Sequence, residues 1–250
     1  MPSLRNLLST LEPPKIGNPV QTFEVFRDND SQNNGGRCCR FCVPQGVTSV
    51  TVEMWGAGAP GQGAKCCERA GVSPSSGSYA VKQIDVTEGT CLTLCAGGTG
   101  CCSRCCGIGN SGKDSFVLCN GNTVGRAEGG YRGCSEMTRS DICSGYTCCY
   151  AQLNNNGCGS GDISMAGHHG QFFANRFCKQ GEYELVAGGM SSGKHTLDYC
   201  TGNGVFRCGC QAICSRASFP AGAGATATSC GGECVQGQSG GAGLIFVRYQ

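Results

Sequence analysis

The sequence predicts an all-β chain: an antiparallel β-sandwich, jelly-roll-like, with long glycine- and cysteine-rich loops and a short N-terminal helix. Three observations carry this. Short runs alternate apolar and polar residues along much of the 250-residue chain, the period-two mark of half-buried strands. Gly, Asn, Ser and Pro punctuate those runs, which favours a sandwich or barrel of many short strands. Only the first dozen residues carry a helical period.

Leu4, Leu7, Leu8 and Leu11 fall at i, i+3, i+4 and i+7, one face of a helix. Ser3 is placed to cap it and Pro13-Pro14 to stop it. About three turns do not stand alone in water, so the leucine stripe must dock, on its own domain or on another subunit. Residues 1–19 are therefore expected to be an anchoring segment and 20–250 the β domain.

From Val20 the pattern turns to β with "VQTFEVF", then "FCVPQGVTSVTVEMW". In the latter, Val50, Val52 and Met54 share one face while Thr51, Glu53 and Trp55 share the other. "GSYAVKQIDV" puts Ala80, Ile84 and Val86 on one side, and "TCLTLC" sets Leu92 and Leu94 against Cys91, Thr93 and Cys95. "DSFVLC" is a further short strand. Between residues 130 and 235, "QFFANRFC", "EYELVAG" and "NGVFRCGCQAIC" are strand candidates among Gly/Asn/Ser loops. The closing "GLIFVRY" is the most apolar run in the chain, which predicts an interior strand rather than an edge.

Composition sets the energetic problem. Glycine numbers 43, and Val, Ile, Leu and Phe together number only 43, few core-formers for a globular chain. Low charge, 14% of residues with a net of +2, argues against disorder. The missing stabilisation is expected from the 24 cysteines, a density typical of disulfide scaffolds. Yet "MPSLRNLLSTLEPPK" lacks a signal-peptide apolar core, and no stretch is apolar for long enough to span a bilayer. Synthesis in a reducing cytosol with an extracellular complement of cysteine has two reconciliations: thiols that hold metal, or a particle released by lysis. Near-neutral charge without a basic run points away from nucleic acid and from membrane surfaces.

Three stretches imitate phosphate-binding loops. Gly56-x-Gly58-x-x-Gly61 follows a strand, but Pro60 interrupts it, the following "QGAKCCERAG" is no helix, and no acidic residue stands near the ribose position. Gly112-Lys113 and Gly193-Lys194 end P-loop spacings but precede Asp114 and His195, where a Mg²⁺-binding hydroxyl is required. All three are rejected. No Gly-x-Ser-x-Gly elbow occurs and no carboxylate pair stands out among 17 acidic residues, so no enzymatic activity is expected.

Five adjacent cysteine pairs occur: Cys38-Cys39, Cys66-Cys67, Cys101-Cys102, Cys105-Cys106 and Cys148-Cys149. Neighbours in an extended chain point to opposite faces, so each member is expected to meet a different partner. The competing metal reading rests on the C-x-x-C spacings Cys39/Cys42 and Cys102/Cys105, whose turns would aim two sulfurs at one zinc or iron–sulfur centre. Disulfides are the preferred expectation, with no cofactor. The His168-His169 pair of "GHHG" could bind metal but is read as a solvated loop pair, and His195 is the remaining histidine.

"FCVPQGVTSVTVEMWGAGAPG" resembles the opening strand of the glycine-rich domains of phage tail-fibre and other virion proteins. "GSYAVKQIDVTEGTCLTLCAGGTG" is similar to their next segment and "GQSGGAGLIFVRY" to their closing strand. The likeness covers about residues 41–130 and 237–249. It implies a structural protein of a bacteriophage particle, a tail fibre or capsid decoration. On this reading the N-terminal segment joins other virion proteins, the protein is a homo-oligomer, and its loops face a host-surface receptor. It would be assembled in the host cytoplasm and become extracellular after lysis.

Overall fold

A computed structural model describes residues 21–26, 36–61, 64–65, 69–70, 74–99, 110–132, 137–138, 158–167, 171–174, 185–188, 204–207, 211–212, 219–224, 234–235 and 239–249. The helix expected over the leucine stripe, with Leu4, Leu7, Leu8 and Leu11, lies outside these, as do Cys102, Cys105 and the three histidines. The described residues hold strands and turns and no helix.

Ten strands make two antiparallel sheets: β1 (Gln21–Phe26), β2 (Arg37–Cys42), β3 (Ser49–Trp55), β4 (Tyr79–Asp85), β5 (Cys91–Ala96), β6 (Ser115–Cys119), β7 (Asn122–Ala127), β8 (Gly159–Ser160), β9 (Ile163–Met165) and β10 (Leu244–Tyr249). The first sheet has the order β1-β10-β3-β4-β9 and the second β8-β7-β6-β5-β2. The closing strand β10 is interior, with β1 and β3 on its two sides, as its apolar run requires. "QFFA", "LVAG", "GVFR" and "QA" form a separate four-stranded antiparallel sheet.

One core joins the two large sheets. Val50, Val52 and Met54 of β3, Ala80 and Ile84 of β4, and Ile245 and Val247 of β10 meet Phe41, Leu92, Leu94, Val117 and Ala127 of the second sheet. These are the inward positions that alternation assigned. Lys82 shares their face, but its stem passes beside Gly125, and its ammonium leaves the core to reach Asp162 Oδ1 at 2.6 Å. Asp162 sits in the turn where the chain crosses from β8 to β9. Its hydrogen bonds from Lys82 and from the Gln83 N–H (2.8 Å) hold its carboxyl below the usual range. This clasp closes one side of the sandwich.

The two ends differ. At one, tight turns join β2 to β3, β4 to β5 and β6 to β7, with Gly46, Gly89 and Gly121 at φ of 83°, 78° and 79°, the left-handed region glycine enters without steric cost. At the other, β3, β4, β5, β6, β7 and β10 run into or out of glycine-rich segments.

Candidate functional site: a glycine layer at one end of the sandwich

Residues 56–61, 74–78, 97–98, 112, 129–130, 220–224 and 240–243 are buried although they are almost all Gly, Ala, Ser or Pro. Buried backbone needs partners for its N–H and C=O groups, and here it finds them laterally. The N–H of Gly56 donates to the Ser78 carbonyl (2.9 Å), that of Ala57 to Lys113 (3.0 Å) and that of Gly58 to Gly241 (2.8 Å). Ala59 then returns to the first neighbour at Ser75 (3.3 Å). The 75–78 segment repeats the step: Ser75 and Ser78 donate to Tyr131 and Glu128, while Gly77 between them donates to Ala221. A β-strand alternates its donors between two neighbours. A three-residue repeat shares them among three, the period of a polyproline-II helix. The segments therefore form a bundle of extended chains rather than a sheet.

Glycine is needed here for proximity. A Cβ on Gly58 would fall on the Gly222 carbonyl oxygen, one on Gly77 on that of Gly56, and one on Gly112 on that of Ala57. Glycine thus brings chains into hydrogen-bonding contact with three neighbours at once, and the imitated nucleotide loop of Gly56, Gly58 and Gly61 is one member of this bundle. Serines tie the layer to the sandwich. Buried Ser115 accepts the Gly97 N–H (2.9 Å) and donates to the Trp55 carbonyl (2.6 Å). Ser75 Oγ accepts the Tyr131 N–H at 2.7 Å.

Among the described residues, Cys38, Cys39, Cys42, Cys91, Cys95 and Cys119 are the cysteines of the sandwich strands. By position in the sequence the other eighteen of the 24 fall within or at the ends of 61–74, 99–110, 132–158, 167–219 and 224–239, and the described residues that flank these stretches lie at the glycine end. Two short ladders join these stretches: Ala64–Lys65 with Cys234–Val235, and Arg69–Ala70 with Met137–Thr138.

Sequence reasoning asked sulfur to hold the glycine turns. In the described residues the glycine segments are held by backbone hydrogen bonds, and the described bridges lie elsewhere. Cys38 is bonded to Cys95 and Cys42 to Cys91, all on the outer face of the second sheet and directly opposed in register. Cys39 and Cys42, read as a metal pair, are not brought together: three residues apart on a strand, they face opposite ways. Cys39 is a free thiol half-buried against the core, as is Cys119. Among the described residues no group of three or more His, Cys, Asp or Glu is placed to hold a metal ion.

One polar cluster lies on the outer face of the first sheet. Glu53, nearly buried, accepts the Tyr79 hydroxyl at Oε2 (3.0 Å) and pairs with Arg248 at Oε1 (3.0 Å). Burial, then the Glu53 charge and its hydrogen bond, push the Tyr79 phenol well above its ordinary value. Trp55 and Leu244 pack beside them under Phe219 and Ala221. Each carboxylate oxygen of Glu53 has a partner, so the cluster reads as a clamp across β3, β4 and β10.

No protein-family model matches the chain, and no curated protein matches it.

Proposed function

We propose that this chain is a non-enzymatic structural protein of a bacteriophage particle, a tail-fibre or capsid-decoration component, that presents cross-linked loops to the medium and to a host-surface receptor. The supporting observation is the polarity of the fold. Short turns close one end, and the described ends of the long, cysteine-bearing stretches lie at a hydrogen-bonded glycine layer at the other. Such a layer fixes the feet of many loops at close spacing while leaving their length and composition free, an arrangement suited to display on a rigid scaffold. The resemblance of the β3, β4–β5 and β10 segments to virion glycine-rich domains points the same way. A jelly-roll-like winding is supported by the chain's repeated passage between the two sheets. The N-terminal segment with Leu4, Leu7, Leu8 and Leu11 is proposed to join other virion proteins, and the protein to be a homo-oligomer.

The test is peptide mass spectrometry of purified particles from cells that express the full chain or a chain lacking residues 1–14. The full chain is expected in the particles, and the truncated one folded in the lysate but missing from them. A full chain that never joins a particle, or that purifies with stoichiometric zinc or iron on unreacted thiols, would sink the reading.

A further inference from the structure

We infer that the two described disulfides form a redox-operated latch on strand β2. The argument stands on the sandwich alone and is independent of the functional reading. β2 is an edge strand, hydrogen-bonded only to β5 among the described residues. Both of its bridges run to that same neighbour, with Cα separations of 4.0 and 4.1 Å, so they staple one strand to one strand. They cross-link no third element. Inward, β2 contributes Phe41, whose ring lies tilted with its centroid 5.3 Å from those of Phe23 and Tyr249, and the half-buried Cys39. Outward, Cys38 and Cys42 are exposed, and Arg40 occupies the position between them opposite Thr93. Cys91 is half-buried and Cys95 buried, so a reductant enters each bridge at the exposed Cys42 or Cys38.

The chemistry balances with a dithiol as reductant. Its thiolate attacks Sγ of Cys38 or Cys42, the S–S bond breaks, and Cys95 or Cys91 leaves as a thiolate and takes up a proton. The reagent's second thiolate then attacks the mixed disulfide, closes its own ring disulfide and frees the second protein thiol. Each bridge consumes two electrons. Once both are open, a six-residue edge strand is held by one ladder and one buried ring. It opens while the interior strands stay paired, and Cys39 becomes accessible. Either bridge alone keeps the strand docked, because the second closes only a small ring once the first has formed. The strand is thus loose in a reducing compartment and fixed in an oxidising one.

Cys119 supplies the internal control: it faces the same core from β6, an interior strand paired with β5 and β7. The full chain is titrated with dithiothreitol, pulsed with a maleimide, and labelling at each cysteine is read by peptide mass spectrometry. Opening of both bridges is expected to raise the Cys39 labelling rate about tenfold or more and that of Cys119 less than about twofold. An unchanged Cys39 rate with both bridges open, or Cys39 and Cys119 rising together, overturns the latch. The paired substitutions Cys38→Ser with Cys95→Ser, and Cys42→Ser with Cys91→Ser, each leave one bridge. Cys39 should keep the slow labelling rate of the oxidised wild type in both until reductant is added, and faster labelling before that point refutes the single-bridge hold.

Discussion

At Gly58 the penalty for a methyl group is set by a neighbouring backbone rather than by the residue's own dihedral angles. The Gly222 carbonyl occupies the space a Cβ needs, and that carbonyl cannot swing away because Gly222 accepts the Gly241 N–H at 2.7 Å. Gly46 is the converse case, with open space around it but a φ of 83°. Gly46→Ala should cost about 1–2 kcal/mol from the left-handed backbone, and Gly58→Ala about 3 kcal/mol or more from overpacking that also breaks lateral hydrogen bonds. Urea unfolding midpoints of the two variants decide the order, and equal losses would mean the layer yields easily. Tyr79 gives a pH signature. Its folded-state pKa lies above the ordinary 10.0, so the folded form favours the protonated phenol. That contribution is whole below about pH 10 and is lost as pH rises through the folded value. Wild-type stability should therefore fall more steeply than that of Tyr79→Phe in urea titrations taken upward from pH 9. Parallel slopes would show that the phenol does not ionise with unfolding.

Elements were legible wherever their signal is local. The inward set of β3 and the opposed leucines and cysteines of β5 follow from alternation alone, since a period of two needs only consecutive residues. β10 was placed inside its sheet by its apolar content. The burial of Trp55 was not legible, because its cover, Phe219 and Ala221, arrives from more than 160 positions away. The bridges were equally hidden: Cys38–Cys95 and Cys42–Cys91 span 57 and 49 residues, and among 24 cysteines many pairings fit the sequence equally well. The C-x-x-C spacing of Cys39 and Cys42 misleads for a local reason, since an extended strand separates the sulfurs that a turn would bring together. The glycine layer left a weak trace in the runs of Gly, Ala and Ser abutting each alternating strand. Its hydrogen bonds link residues far apart, and chains with almost no side chains carry no periodic pattern to read.

At the scale of the molecule, a chain poor in Val, Ile, Leu and Phe divides the task of holding itself together. The sandwich concentrates those residues in one core between two sheets. The glycine end has little side-chain packing beyond Ala221 against Trp55 and Leu244 and satisfies its buried backbone by close lateral pairing, with each N–H and C=O contributing about 1 kcal/mol or less net but costing more if left unmet. Sulfur, in the described residues, staples the edge of the sandwich. The claim on which this division rests is that the glycine layer stands without disulfides. Amide hydrogen exchange in excess reductant tests it directly, read at Gly56, Ala57, Gly58, Gly241 and Gly243. These amides are expected to keep their protection to within about tenfold of the oxidised protein while those of β2 lose theirs. Exchange of the glycine amides at the rate of an unstructured peptide, once the bridges open, would contradict it.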